Sequence, residues 1–247
     1  MSTLLLDIGN TRCKWGLWAD GTLTGEGAID NDDIGKANVW TFALDADQAF
    51  ACSVASAQRT KTLQDVLEPL GVELTLAQTT AEHAGVRCAY TDPSRLGVDR
   101  WMAVLAGSRL PRRPALIVDA GTALTIDAVD NDGNHAGGFI IPGIQMMQSA
   151  LTTRTANIRI DEPEAINESF GTSTSEAVRN GALVAAAGAV DRAANWLAML
   201  CDTDPDALAF AFTGGNGELL ADTLNRAADF HANFVLDGLA IYAGLAP

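Results

Sequence analysis

The chain predicts an α/β fold in two domains, with mixed sheets flanked by helices, and three observations lead there. Aliphatic runs of strand length alternate with amphipathic stretches of helix length. The opening pattern "LLLDIGNTRCKW" (residues 4–15), a strand ending in a carboxylate and a glycine turn, returns as "ALIVDAGTALTID" (residues 115–127). Asp7 and Asp119 are 119 − 7 = 112 positions apart, close to half of 247 residues, so an internal duplication is the economical reading. A chain of this length with 48% hydrophobic residues can bury two modest cores. The break at "PRRP" (residues 111–114) sets the expected domains at 1–112 and 113–247.

In order, residues 3–7, 12–18 and 23–29 predict an antiparallel meander, broken by the turns "DIGNT" and "ADGT". "AFACSVAS" predicts a buried strand, "QRTKTLQDVLEPLG" a helix ending at Gly71, and "VELTLA" another strand. After Pro93 a helix is expected through "SRLGVDRWMAVLAGSRL". Beyond "PRRP", residues 115–143 repeat the meander, with "DNDGN" as a tight hairpin. "MMQSALTTRTA" predicts a helix, and residues 174–200 a long one in which Ser173 and Glu176 have capping-box spacing. Gly181, Ala185 and Gly188 give that helix a small-residue surface, suited equally to packing inside its domain or to a dimer seam. "ALAFAFTGGNGELLADTL" reads as strand, glycine loop and helix, and "FVLDGLAIYAGLA" as strand, turn and closing helix.

The formal charge of −15 and the lack of a basic run exclude a nucleic-acid surface of the usual kind. Acidity does not exclude a phosphate ligand, because backbone amides and a bound cation hold one locally. Cys13, Cys52, Cys88 and Cys201 are scattered without a CxxC pair and no secretory leader precedes the first strand, so reduced thiols and a cytoplasmic location are expected. No aliphatic run approaches the roughly 20 residues of a membrane span. His83, His135 and His231 lack metal-ligand spacing.

Chemistry concentrates in the glycine turns. Gly9 and Gly121 let backbone N–H groups approach anionic oxygens, while Asn10, Thr11 and Thr122 add side-chain donors. Asp7 and Asp119 repel a bare phosphate and therefore suggest bridging cations, magnesium or a monovalent ion. One such turn alone reads as an ordinary Asx turn; two matched copies favour the ligand reading. "FTGGNG" (residues 212–217) is a strand-to-helix loop against which a nucleoside can lie, and neither a Walker loop nor GxGxxG is present. Strand alternation puts Arg12 and Lys14 on the face bearing Asn10, where Lys14 can reach a terminal phosphate or simply be solvated. In "YTDPSRLGVDRW" (residues 90–101), Asp99 could accept a hydroxyl proton and Arg100 could hold an acidic group, although an arbitrary DR pair is more often a surface salt bridge.

The blocks "DIGNTRCKW", "GVDRW", "DAGTALTID", "GGFIIPG" and "FTGGNG", in this order, resemble the signatures of type III pantothenate kinase, within the actin-like ATPase superfamily of acetate and sugar kinases, Hsp70 and actin. The resemblance spans residues 7–217 and implies two ribonuclease-H-like domains with the active site in the cleft between them, and a homodimer. It implies transfer of the γ-phosphoryl of ATP to pantothenate, giving 4′-phosphopantothenate on the way to coenzyme A. Residue by residue, Asp7, Ile8, Gly9, Asn10, Thr11, Arg12, Cys13 and Lys14 match the ATP phosphate block, with Asp7 near magnesium. Asp99 matches the catalytic base within Gly97, Val98, Asp99 and Arg100, which touch pantothenate, and Tyr90 and Thr174 match further substrate positions. Asp119 matches a ligand of a monovalent cation, potassium or ammonium, Thr122 an ATP contact, and Gly214, Gly215 and Asn216 the adenosine motif.

Two segments depart from the pattern: "TANIRID" stands where the family often has "LP" after "TA", and the surroundings of Thr174 are less distinctive than the other blocks. Rival functions are a non-catalytic nucleotide-binding regulator, which would keep both phosphate turns but need no acceptor pocket, and a kinase of the same superfamily acting on a sugar or carboxylate. The intact "GVDR" and Tyr90 weigh against the first, and the short chain weighs against the second.

Overall fold

A computed structural model describes residues 2–154, 158, 160, 166–224, 226 and 228–246. It divides into two compact units: Met1–Ala106 with Asn233–Pro247, and Gly107–Ala232. The departing loop "TANIRID" falls largely outside the described residues.

The first unit is built on the expected meander, β1 (Ser2–Ile8), β2 (Arg12–Ala19) and β3 (Thr22–Asp30), extended by β4 (Ala46–Ser53) and β5 (Glu73–Leu76). Sheet order is β3-β2-β1-β4-β5; β1, β2 and β3 pair antiparallel, and β4 runs parallel to both β1 and β5. Leu4, Leu6 and Ile8 alternate into a core with Trp40, Leu63 and Leu67. Trp40 sits in a 3-10 segment, Ala37–Asp45, absent from the sequence-based expectation, and its indole N–H donates to the Ile34 carbonyl at 2.9 Å. Helix α1 (Ala57–Leu67) starts where the Ser56 hydroxyl accepts the Arg59 N–H, and the chain leaves its 3-10 extension at Gly71, whose φ of +78° suits glycine. A short hairpin, β6 (Glu82–His83) with β7 (Val86–Arg87), precedes α2 (Val98–Gly107). The helix expected from residue 94 is thus interrupted: Pro93–Arg95 is a 3-10 turn capped by Asp92, and the α-helix begins within the "GVDR" block.

The second unit repeats the plan. Strands β8 (Ala115–Ala120), β9 (Ala123–Val129) and β10 (His135–Pro142) form the antiparallel meander, β11 (Ala209–Thr213) runs parallel to β8 and β12 (Asp229–Phe230) parallel to β11, and the order is β10-β9-β8-β11-β12. Each sheet therefore has the ribonuclease-H-like order 3-2-1-4-5, and the repeat read in the sequence is a repeat of topology. Helix α3 (Ile144–Arg154) begins two residues before its expected start. Helix α4 (Thr174–Leu200) has the predicted capping box, and Ala182, Leu183, Ala186, Val190, Ala194 and Leu197 bury its inner face in a core with Leu116, Val118 and Phe212. Helix α5 (Gly217–Leu224) follows the glycine loop.

The C-terminal segment departs from expectation twice. Residues Phe234–Tyr242 form one helix, α6, so the expected closing helix is present but takes in the segment expected as strand and turn, and it belongs to the first unit, where it packs on β1, β2 and β4. The contact-based units thus differ from an N-terminal half at 1–112 and a C-terminal half at 113–247. A Cβ at Gly238 would overlap the Met102 backbone, so α6 lies against α2 at a distance only glycine allows. Among the described residues, no helix is long and apolar enough to cross a membrane.

Candidate active site

In the first unit the register of the sheet sets the chemistry. Asp7 on β1 is opposite Lys14 on β2 and Cys52 on β4, so the three side chains form a row on one sheet face. The Cys52 thiol donates to Asp7 Oδ1 at 3.5 Å. Burial first, then the charges of Asp7 and Asp99, push this thiol well above its ordinary pKa. Burial, followed by the Asp7 charge, pushes Cys13 up to about 12. Both thiols remain protonated at neutral pH, so neither is a thiolate ligand or nucleophile. Ile8 and Cys13 are fully buried, which leaves only their backbone available to a phosphate.

Gly9, Asn10 and Thr11 join β1 to β2, with the Gly9 N–H donating to the Arg12 carbonyl at 3.0 Å. The side-chain amide of Asn31, just beyond β3, donates to the carbonyls of Gly9 at 3.1 Å and Asn10 at 2.8 Å. Arg12 bends away to an exposed ion pair with Asp30 at 3.0 Å.

The "GVDR" block folds as the entry to α2. Asp99 lies in the first helical turn, its Oδ1 accepting the Arg100 N–H at 2.8 Å. A Cβ at Gly97 would stand 2.6 Å from that oxygen, so a larger residue there would displace the Asp99 carboxylate. Arg100 is only 5% exposed, its guanidinium donates to the Tyr90 hydroxyl at 3.1 Å, and its Cζ lies 5.9 Å from the Tyr90 ring centroid. The pair is therefore not the surface salt bridge that an arbitrary DR suggests. Beside it a cavity of about 420 Å³ is lined by Ser53, Thr79, Ser94, Arg95, Gly97 and Val98.

The second unit holds the equivalent row with different neighbours: Asp119 on β8 is opposite Thr125 on β9 and Thr213 on β11. The Gly121 N–H closes its turn on the Ala123 carbonyl at 3.0 Å. Gly214, at φ +83°, comes so close that a Cβ would stand 2.5 Å from Asp119 Oδ1, and the Asn216 N–H donates to the Ala120 carbonyl at 3.0 Å. Thr122, Gly215 and Asn216 thus come together at the rim of one cavity of about 590 Å³ with Gln145, Met146 and Ser149. Gln145 and Asn216 exchange amide hydrogen bonds at 3.2 and 3.0 Å. Thr174, at the start of α4, lines a different, mainly apolar cavity of about 430 Å³ with Met147, Leu151 and Val178.

Sequence reasoning missed Cys52, Asn31 and Gln145. Cys52 lies at the end of a buried strand, and only pairing with β1 sets it beside Asp7. Asn31, directly after a strand, has the composition of any turn, whereas Gln145 sits two residues past "GGFIIPG" and carried no signal of its own.

The family profile described as "Type III pantothenate kinase" matches residues 3–195. The type III pantothenate kinase of Ectopseudomonas mendocina is 38% identical over 245 residues, covering 96% of this chain and 97% of its own. That of Idiomarina loihiensis is 38% identical over 258 residues, covering 97% and 98%. Among solved structures, a Campylobacter jejuni protein named for the Baf family of transcriptional activators superposes with a TM-score of 0.58 at 21% identity, over 98% of this chain and 97% of its own. The ROK hexokinase of Thermus thermophilus gives 0.51 at 13% identity, over 98% of each chain. At such identities the structural likeness speaks for the fold alone. The profile match and the full-length relatives go further: the chain belongs to the type III pantothenate kinase family.

Proposed function

We infer that this protein transfers the γ-phosphoryl of ATP to the primary alcohol of pantothenate, giving ADP and 4′-phosphopantothenate, the entry to coenzyme A synthesis. One observation carries the reading beyond family membership. The Cys52 thiol, which donates to Asp7 Oδ1 at 3.5 Å, is pushed up by burial first and then by the charges of both Asp7 and Asp99, which are 99 − 7 = 92 positions apart in the chain. The carboxylate of the phosphate turn and that of the acceptor block thus share one electrostatic neighbourhood. A regulator that only bound nucleotide would have no use for the second.

Phosphoryl transfer asks for alignment and charge compensation more than covalent chemistry. In this reading Asp99 orients the alcohol and takes its proton as the new P–O bond forms and the bond to ADP breaks. Arg100, steadied by Tyr90, holds the acidic end of pantothenate, and Gly97, Val98 and Thr174 complete its contacts. The Gly9–Thr11 turn and Lys14 meet the ATP phosphates, and Thr122 with Gly214, Gly215 and Asn216 meets the rest of the nucleotide.

No three His, Cys, Asp or Glu side chains converge among the described residues. That suits magnesium, which commonly keeps its waters and takes one or two carboxylates plus substrate phosphates. Asp7 would supply such a carboxylate, and the ion would offset charge on the transferring group. Asp119, with threonines rather than a lysine and a cysteine at its cross-strand positions, would supply a hard oxygen ligand for potassium or ammonium. Homodimerisation and a cytoplasmic location belong to the same reading. Gly181, Ala185 and Gly188 are exposed on α4, beside Val184 at 48% exposure, which supports a seam between copies over packing within the unit.

The test is ADP release with pantothenate as acceptor, with and without magnesium and a monovalent salt. Pantothenate-dependent release that needs magnesium and rises with potassium or ammonium is expected. Release that ignores pantothenate but follows another acceptor overturns the substrate.

A further inference from the structure

We propose that Asn31 is a positioning residue for nucleotide binding: it holds the Gly9–Thr11 turn so that the N–H groups of Asn10 and Thr11 face outward together as an anion nest. The proposal rests on the ATP reading and adds a residue that the phosphate motif does not contain.

The geometry begins with the peptide plane. In a trans peptide the carbonyl of one residue and the N–H of the next point in opposite directions. Whatever holds the carbonyls of Gly9 and Asn10 on one side therefore turns the N–H groups of Asn10 and Thr11 to the other. Asn31 does this with one group, since its Nδ2 donates to Gly9 O at 3.1 Å and to Asn10 O at 2.8 Å, using both amide protons. Its own backbone N–H donates to Thr11 O at 3.3 Å, so three successive carbonyls converge on one residue. The Arg59 guanidinium adds a longer bond to Asn10 O at 3.4 Å.

On the far side, the N–H groups of Asn10 and Thr11 have no acceptor among the described residues, and both residues are exposed. Successive N–H groups aimed one way form the concavity that binds phosphate oxygens. The clamp has one orientation. A flipped Asn31 amide would set its oxygen against two carbonyl oxygens, and in the orientation adopted Oδ1 is buried without a partner among the described residues. An amide that leaves its own acceptor unmatched while both donors serve the turn is placed for those donors.

Asn31→Ala removes the clamp, and Asn31→Asp keeps its shape but replaces the donor with an acceptor. The experiment is calorimetric titration of wild type and both variants with ATP and with adenosine, alongside thermal denaturation. Both variants should bind ATP about tenfold more weakly, the size expected for weakening hydrogen bonds to a charged group. Adenosine, which has no phosphate, should bind all three proteins within about twofold, well under one such bond. ATP affinity unchanged in both variants overturns the proposal, and so does an equal loss for ATP and adenosine, which would mark a general structural defect. Wild type that binds ATP but does not phosphorylate pantothenate would refute the proposed acceptor and leave this inference standing.

Discussion

Cys52 and Thr213 occupy the same place in two copies of one sheet, each beside the aspartate of its turn, yet they give that aspartate different surroundings. Asp7 accepts a hydrogen bond from a thiol on one side and is paired across the strands with a lysine on the other; Asp119 is paired with two hydroxyl-bearing residues. Duplicated carboxylates thus become chemically distinct through their cross-strand neighbours. Asp99 differs again, being bound at one oxygen by the N–H of the next residue. Asp99→Asn keeps the shape and removes the basicity. Turnover should fall by roughly 10²–10⁴, the usual contribution of a general base, with ATP affinity nearly unchanged. Steady-state kinetics with parallel calorimetry measures both, and unchanged turnover removes Asp99 from the proton transfer. That an aspartate ends each first strand was legible in the sequence. What stands beside it was not, because strand partners come from distant segments.

Local signals predicted elements well where periodicity or capping was strong. The Ser173 hydroxyl accepts the Glu176 N–H at 3.1 Å, and Glu176 accepts the Thr172 N–H at 2.6 Å, the Thr172 hydroxyl at 2.9 Å and the Ser173 N–H at 3.3 Å. The Thr172 N–H, chiefly, holds the Glu176 carboxyl below its ordinary value of 4.5. A depressed folded-state pKa contributes stability that is complete above the ordinary value and lost as pH falls through the folded one. Denaturant midpoints taken from neutral pH down to about pH 3 should therefore show the advantage of wild type over Glu176→Gln shrinking below about pH 4.5. A constant difference across that range would mean that the charge of Glu176 plays no part in the cap. The start of the closing helix, residues 234–238, reads as strand and turn for a physical reason. Phe234, Val235, Leu236, Leu239, Ala240 and Ile241 are all buried, so α6 is apolar on every side and shows no helical period, while the Asp237–Gly238 pair mimics a turn.

For the molecule as a whole, the destination of α6 has a consequence. The last residues of the chain complete the core of the first unit, although the duplicated sequence suggests that each half is self-sufficient. Phe234, Leu236, Leu239 and Ile241 are at most 8% exposed. Burying such side chains contributes about 1.5–3 kcal/mol each, which together rivals the net 5–15 kcal/mol of a typical domain. A chain ending at Ala232 should therefore lose the fold of residues 2–106 while β8–β11 persist. Limited proteolysis followed by mass mapping should show early cuts in the N-terminal segment; a pattern matching the full-length protein there would refute the dependence.

Patterns within some thirty residues were enough, by themselves, to determine the two carboxylate-tipped meanders, the capped long helix, the glycine loop and the family blocks, because strand alternation, turn chemistry and capping are local. Only the tertiary structure decided that Cys52 lies against Asp7, that Asn31 clamps the Gly9–Thr11 turn, that Gln145 pairs with Asn216 and that α6 returns to the first unit. Each of these joins segments remote in sequence, and the choice among remote partners is made by sheet register and close packing, which local composition leaves open.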